Sequence, residues 1–171
     1  MRDIILFISI LLASLWLYFS GTLGNFIISL GDFMNLGVLV SGFFYSATVT
    51  SPLALAMFAA YGKTMSPLRI AMAAGVGAMF ADVIIFLGMG KVAGREFTLA
   101  GKRITVPKPK DGVQKALLTA LGIVLVALPF PNEIAVVVLG MSGIRLNRFM
   151  LLALVSKIAG IFLVAWALSS A

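Results

Sequence analysis

The sequence predicts an all-α integral membrane protein: an N-terminal transmembrane helix, then an inverted repeat of two units, each a Pro-broken re-entrant hairpin followed by a transmembrane helix. Three observations predict it. Of 171 residues, 61% are hydrophobic and 11% charged, with a mean hydropathy of +1.13, far more apolar than a soluble domain needs. Five tracts are almost free of charge: residues 4–31 and 33–62 hold none, 70–90 only Asp82, 116–144 only Glu133 and 149–171 only Lys157. Finally, the segment 91–115 gathers Lys91, Arg95, Lys102, Arg103, Lys108, Lys110 and Lys115 against Glu96 and Asp111.

The first tract opens after Met1-Arg2-Asp3, whose side chains nearly cancel in charge, and it exceeds the ~7–15 apolar residues of a signal-peptide core. A retained helix over about residues 4–24 is expected, with an interfacial stretch to residue 31. The whole chain, 1–171, reads as one membrane domain: first hairpin and helix over 33–90, basic loop over 91–115, second hairpin and helix over 116–171.

Charge then sets the topology. The basic loop belongs in the cytoplasm by the positive-inside rule. If every apolar tract crossed once from a cytoplasmic Met1, three crossings would leave that loop outside. The conflict disappears if residues 33–62 enter and return, broken at Thr50-Ser51-Pro52, where Ser51 suits an N-cap and Pro52 the first helical turn. A helix over 67–90 then runs inward. Within the loop, alternating apolar and polar residues around Ala100-Gly101-Lys102 suggest a small surface hairpin or loop.

The tract 116–144 poses the same problem, since about 20 residues suffice for one crossing. Its sequence ALPFPNEIAVVVLG sets Pro129, Pro131, Asn132 and Glu133 in an apolar run. A second break there, with Asn132 capping the returning half, puts Arg145 and Arg148 on the cytoplasmic side, and the last tract crosses outward. Pro52, Gly62 and Arg69 match Pro131, Gly140 and Arg148 at nearly equal spacing. Inverted repeats with broken helices mark transporters whose site lies near the midplane. Two half-helix N-termini would meet there, a centre suited to an anion.

The chain has no cysteine and no histidine, which removes disulfides, thiol nucleophiles and most metal sites. No catalytic residue, metal or cofactor is expected, and the basic loop lacks the interleaved aromatics of a nucleic-acid site. Asp82, Glu133 and Lys157 each cost a few kcal/mol if left unpaired in hydrocarbon. They are the candidate transport or coupling residues, either as a relay or as structural ion pairs. Asp82 shares a small-residue face with Ala74, Gly75 and Ala78. Lys91, Arg95, Arg145 and Arg148 are candidate headgroup-binding residues at the cytoplasmic surface.

Residues 75–94, GVGAMFADVIIFLGMGKVAG, and 130–166, FPNEIAVVVLGMSGIRLNRFMLLALVSKIAGIFLVAW, resemble the DedA family of the VTT (SNARE-associated) superfamily. Asp82 stands at the family's Asp, Phe86 near its Tyr, Gly90-Lys91 in place of Gly-Arg and Gly94 at the final Gly. The resemblance implies movement of an anionic lipid, a polyprenyl-phosphate carrier or phospholipid, across a plasma membrane by a multi-pass flippase or scramblase. Only Asp82 and Glu133 carry over from the family's acidic positions. An ion- or proton-coupled small-molecule exporter or channel is the second reading, and a non-transporting membrane scaffold the third. An open pair of hairpins also leaves room for a second copy of the chain, so a homo-oligomer fits the same plan.

Overall fold

The computed structural model describes residues 2–90, 97–99, 102–104, 112–127, 135–136, 138–139, 142 and 144–169. Lys91, Arg95, Pro129, Pro131, Asn132 and Glu133 lie outside these described residues, and so does the second expected break.

The N-terminal tract is not one helix over 4–24. Helix α1 (Arg2–Phe19) stops early and α2 (Thr22–Ser29) leaves at 72° to it. The bend falls at Gly21, whose φ of 76° is open to glycine at little cost. Leu23 and Ile27 of α2 then turn into the protein.

A short 3-10 turn (Gly31–Phe33) leads into α3 (Met34–Tyr45), residues 46–50 form a turn, and α4 (Ser51–Tyr61) runs back along α3. The reversal shows in the contacts Met34–Thr64 at 3.7 Å and Ser41–Met57 at 3.4 Å, and in the ring pair Tyr45–Phe58 at 5.6 Å. The turn is made by hydroxyl side chains bonding their own backbone: Thr50 Oγ1 donates to the Phe44 carbonyl at 2.7 Å and Ser51 Oγ to the Thr48 carbonyl at 3.0 Å. Ser51 is therefore not the N-cap of α4. That position is Thr50, without a side-chain cap bond, and Pro52 sits in the first turn.

Helix α5 (Pro67–Gly90) matches the expected span at both ends. Here the serine before the proline does cap: the Arg69 backbone N–H donates to Ser66 Oγ at 3.4 Å, and Pro67 supplies the preset first helical φ. Beyond it, β1 (Phe97–Leu99) and β2 (Lys102–Ile104) pair antiparallel, Leu99 opposite Lys102, in the segment where the alternation suggested a small hairpin or loop. Helix α6 (Gly112–Ala127) follows, and Leu139 lies back against Gly122 of α6. The last helix, α7 (Leu146–Ser169), begins three residues ahead of the apolar tract.

Helices α3, α5 and α7 form the body. A Cβ on Gly42 would collide with the Ala74 carbonyl, and one on Gly77 with the Leu39 carbonyl, so α3 and α5 touch backbone to backbone. Ala71, Ala74 and Ala78 are fully buried along that seam. Helix α7 packs antiparallel on the other side of α5: Ile158 faces Gly75, and the rings of Phe149 and Phe86 stack at 4.2 Å. Two apolar clusters result, one around Phe58, Tyr61, Ile70 and Ile161, the other around Met79, Val126, Leu139 and Phe149.

The fold is helical apart from the one small hairpin among the described residues. Residues Pro67–Gly88 of α5 and all of α7 are long and apolar enough to cross a membrane, as is α1 with α2 if that bent pair is one span. Leu68, Ile84, Leu151, Val155, Leu163 and Trp166 point outward, giving these helices an apolar exterior of the kind lipid covers. By contrast α3, with 12 residues, and α4, with 11, measure only about 18 and 16 Å at 1.5 Å per residue.

Candidate functional site

The seam between the two clusters holds a pair of charges. Asp82 follows Ala78 of the first cluster and Met79 of the second; Lys157 lies between Ala153 of the second and Ile161 of the first. Lys157 Nζ is 3.6 Å from Asp82 Oδ2, and the two side chains are 1% and 0% exposed. Helical side chains lean toward their own N-terminus. Because α5 and α7 are antiparallel, Asp82 and Lys157 lean toward each other across the seam.

Helix α3 closes the third side. The Tyr45 ring lies under Lys157 Nζ, 5.2 Å from centroid to nitrogen, a cation–π position. Its hydroxyl is buried without a hydrogen-bond partner among the described residues. The next residue, Ser46, donates from Oγ to the Ala78 carbonyl at 3.0 Å, one turn before Asp82. The end of α3, where the chain turns, is thus fastened beside the ion pair.

Sequence reasoning brought out Asp82 and Lys157 and left their pairing open. It did not bring out Tyr45, whose only sequence signal is its place just ahead of the turn 46–50.

A second feature lies between α6 and α7. A cavity of ≈ 720 Å³ is lined by Ala116, Thr119, Ala120 and Ile123 on one side and by Ser142, Ile144, Arg145, Arg148 and Leu152 on the other. The N-terminal halves of α6 and α7 both line it, and the Phe86–Phe149 stack brings the C-terminal part of α5 to the same end. Arg145 and Arg148 are exposed there. On α7 the lining runs from Arg148 to Leu152, and the buried Lys157 stands nine residues beyond Arg148, about half a turn round the helix.

The structure thus joins Asp82 with Lys157, and Arg145 with Arg148. Ser51 and Pro52 open α4, beyond the turn that follows Tyr45. Chemically, the interior offers, among the described residues, one carboxylate, one ammonium and an aromatic face; the cavity offers two guanidinium groups among aliphatic side chains. No three His, Cys, Asp or Glu cluster as metal ligands among the described residues. Compared with protein-family models, curated proteins and solved structures, the chain matches none.

Proposed function

We propose that the chain is a membrane transporter that translocates an anionic lipid, a polyprenyl-phosphate carrier or a phospholipid, as a flippase or scramblase. The observation that carries this reading is the lining of the α6–α7 cavity: Arg145 and Arg148 beside Ala116, Ile123, Ile144 and Leu152. A headgroup phosphate takes two guanidinium groups well, and the aliphatic wall suits the first carbons of its chain. A volume of ≈ 720 Å³ falls within the ~300–1,000 Å³ of small-molecule sites.

The membrane arrangement supports it. Helices α3 and α4 are too short for a hydrocarbon core of about 30 Å, which fits a re-entrant first hairpin. The second hairpin of the inverted repeat is inferred from sequence. Of 13 Lys and Arg, only Lys63 and Arg69 lie between α4 and the first turn of α5, and Lys157 is buried. The others are Arg2, the seven of segment 91–115, Arg145 and Arg148, so a plasma-membrane orientation with that segment cytoplasmic follows the positive-inside rule. The resemblance of residues 75–94 and 130–166 to the DedA family points to the same substrate class.

The buried Asp82–Lys157 pair favours a second reading, an ion-coupled exporter of a small solute, because intramembrane charges mark ion paths. Reconstitution separates the two. Native chain and R145Q/R148Q are placed in proteoliposomes with a fluorescent polyprenyl phosphate and, in parallel, a phosphatidylglycerol analogue. Translocation by the native chain, lost in R145Q/R148Q, supports the lipid reading. Rates equal to empty liposomes, with folded and inserted protein, contradict it.

A further inference from the structure

We infer that a single lipid binds along one face of α7, its phosphate at Arg145 and Arg148 and its hydrocarbon chain in an apolar groove. Leu68 of α5 forms that groove with Val155, Ile158, Ala159 and Phe162 of α7. The inference rests on the lipid reading of the α6–α7 cavity and adds to it the seat of the chain.

Helical spacing makes the two sites one track. Arg148 and Leu152 line the cavity, and Val155, Ala159 and Phe162 line the groove. These positions follow one another at steps of four, three, four and three residues, which keeps them on one side of a helix. Leu152 ends the wall of the first site and Val155 begins that of the second, less than one turn further on.

The lengths agree as well. From Leu152 to Phe162 the rise is about 15 Å, half of a hydrocarbon core of about 30 Å. A chain that leaves the cavity therefore meets a wall over the depth of its own leaflet. The groove has a volume of ≈ 360 Å³, and the small side chain of Ala159, exposed between Val155 and Phe162, keeps its floor low. Ile158 lies against Gly75 of α5, where a Cβ would press on it, so the seam itself fixes that side of the groove.

Charge selects the occupant. Among the described residues, no charged side chain lines the groove and no carboxylate lines the cavity with its two guanidinium groups. A molecule with an anionic head and an apolar tail matches both sites. A helix from a second copy of the chain would match the groove alone.

Fluorescence quenching in nanodiscs tests this. W16F and W166F remove both native tryptophans, and F162W then places a reporter in the groove. Terminally brominated hexadecyl phosphate should quench it. Adding R145Q/R148Q should weaken that binding about ten-fold, ~1.4 kcal/mol, although Arg148 stands about 21 Å away along the helix. Terminally brominated hexadecanol, which lacks the phosphate, should quench no better than the phosphate does in the R145Q/R148Q background. Equal quenching by phosphate and alcohol, unmoved by R145Q/R148Q, would make the occupant bulk lipid and overturn the inference. No quenching by either would mean that protein covers the groove, and would overturn it too.

A second variant needs no change of tryptophan. A159F fills the groove from an exposed position, so it should melt with the native chain. It should bind hexadecyl phosphate about ten-fold more weakly and butyl phosphate equally well. Butyl phosphate binding that is the same in R145Q/R148Q as in the native chain contradicts the lipid reading of the cavity. Butyl phosphate binding that needs the arginines, with hexadecyl phosphate indifferent to A159F, keeps that reading and overturns the chain seat.

Discussion

Lys157 of α7 and Asp82 of α5 meet inside the protein with Nζ 3.6 Å from Oδ2 and with neither side chain reaching the surface. Their encounter depends on the antiparallel register of α5 and α7, fixed by Gly75 against Ile158 at one level and Phe86 against Phe149 at another.

A double-mutant cycle on this pair has a defined expectation. K157M removes one partner of the buried Asp82 and D82N one partner of the buried Lys157, each costing up to about 3–5 kcal/mol. D82N/K157M should return to within ~2 kcal/mol of the native chain. Denaturation in detergent, followed by tryptophan fluorescence, measures all four. Additive single losses would show that the two charges do not act on each other.

Tyr45 should behave as an aromatic face, not as a hydroxyl. Y45F keeps the ring under Lys157 and removes a buried hydroxyl that has no partner among the described residues. It should be neutral or slightly stabilising. Y45L removes the ring and should cost about 1–2 kcal/mol through the lost cation–π contact alone. A larger loss in Y45F than in Y45L would assign the role to the hydroxyl.

Two glycines of α5 should respond with opposite sign. G77A drives a methyl group into the Leu39 carbonyl of α3, a backbone atom that cannot rotate away. It should cost at least ~1–3 kcal/mol, as overpacking does. G88A meets nothing within 4 Å and should gain up to ~1 kcal/mol by restricting the unfolded chain. Melting temperatures of the two variants, measured in one detergent, check the contrast.

The two Ser-Pro pairs offer a finer test. S66A removes the acceptor of the Arg69 backbone N–H and should cost about 1 kcal/mol. S51A removes only a hydroxyl that donates within the turn 46–50 and should cost less. Equal losses would mean that Ser66 does not cap α5.

Much of this was legible from local rules. The apolar run after Ser66-Pro67, interrupted by Arg69 and Asp82, marks α5 to the residue, and the alternation about Ala100-Gly101 marks the segment where β1 pairs with β2. What needed the structure depends on contacts distant in sequence. The bend at Gly21 is hidden because Ser20, Gly21 and Thr22 are a small interruption in an apolar tract. The first hairpin turns before Ser51, because Thr50 bonds back to Phe44 and takes the cap position. Asp82 is one of two carboxylates that sequence offers to Lys157, and the register of α5 on α7 brings it within 3.6 Å. Tyr45 carries no sign of its role, since what a ring faces is decided by packing. The comparison of Glu133 with Asp82 lies outside the described residues.

The most direct measurement of the central claim is headgroup dependence. Two fluorescent lipids with the same chains, one with a phosphatidylglycerol headgroup and one with phosphatidylcholine, are compared for translocation in proteoliposomes containing the native chain. The account predicts translocation above empty liposomes, faster for the anionic lipid, with the preference abolished in R145Q/R148Q. Equal rates for both headgroups, or none above background from correctly inserted protein, would contradict it.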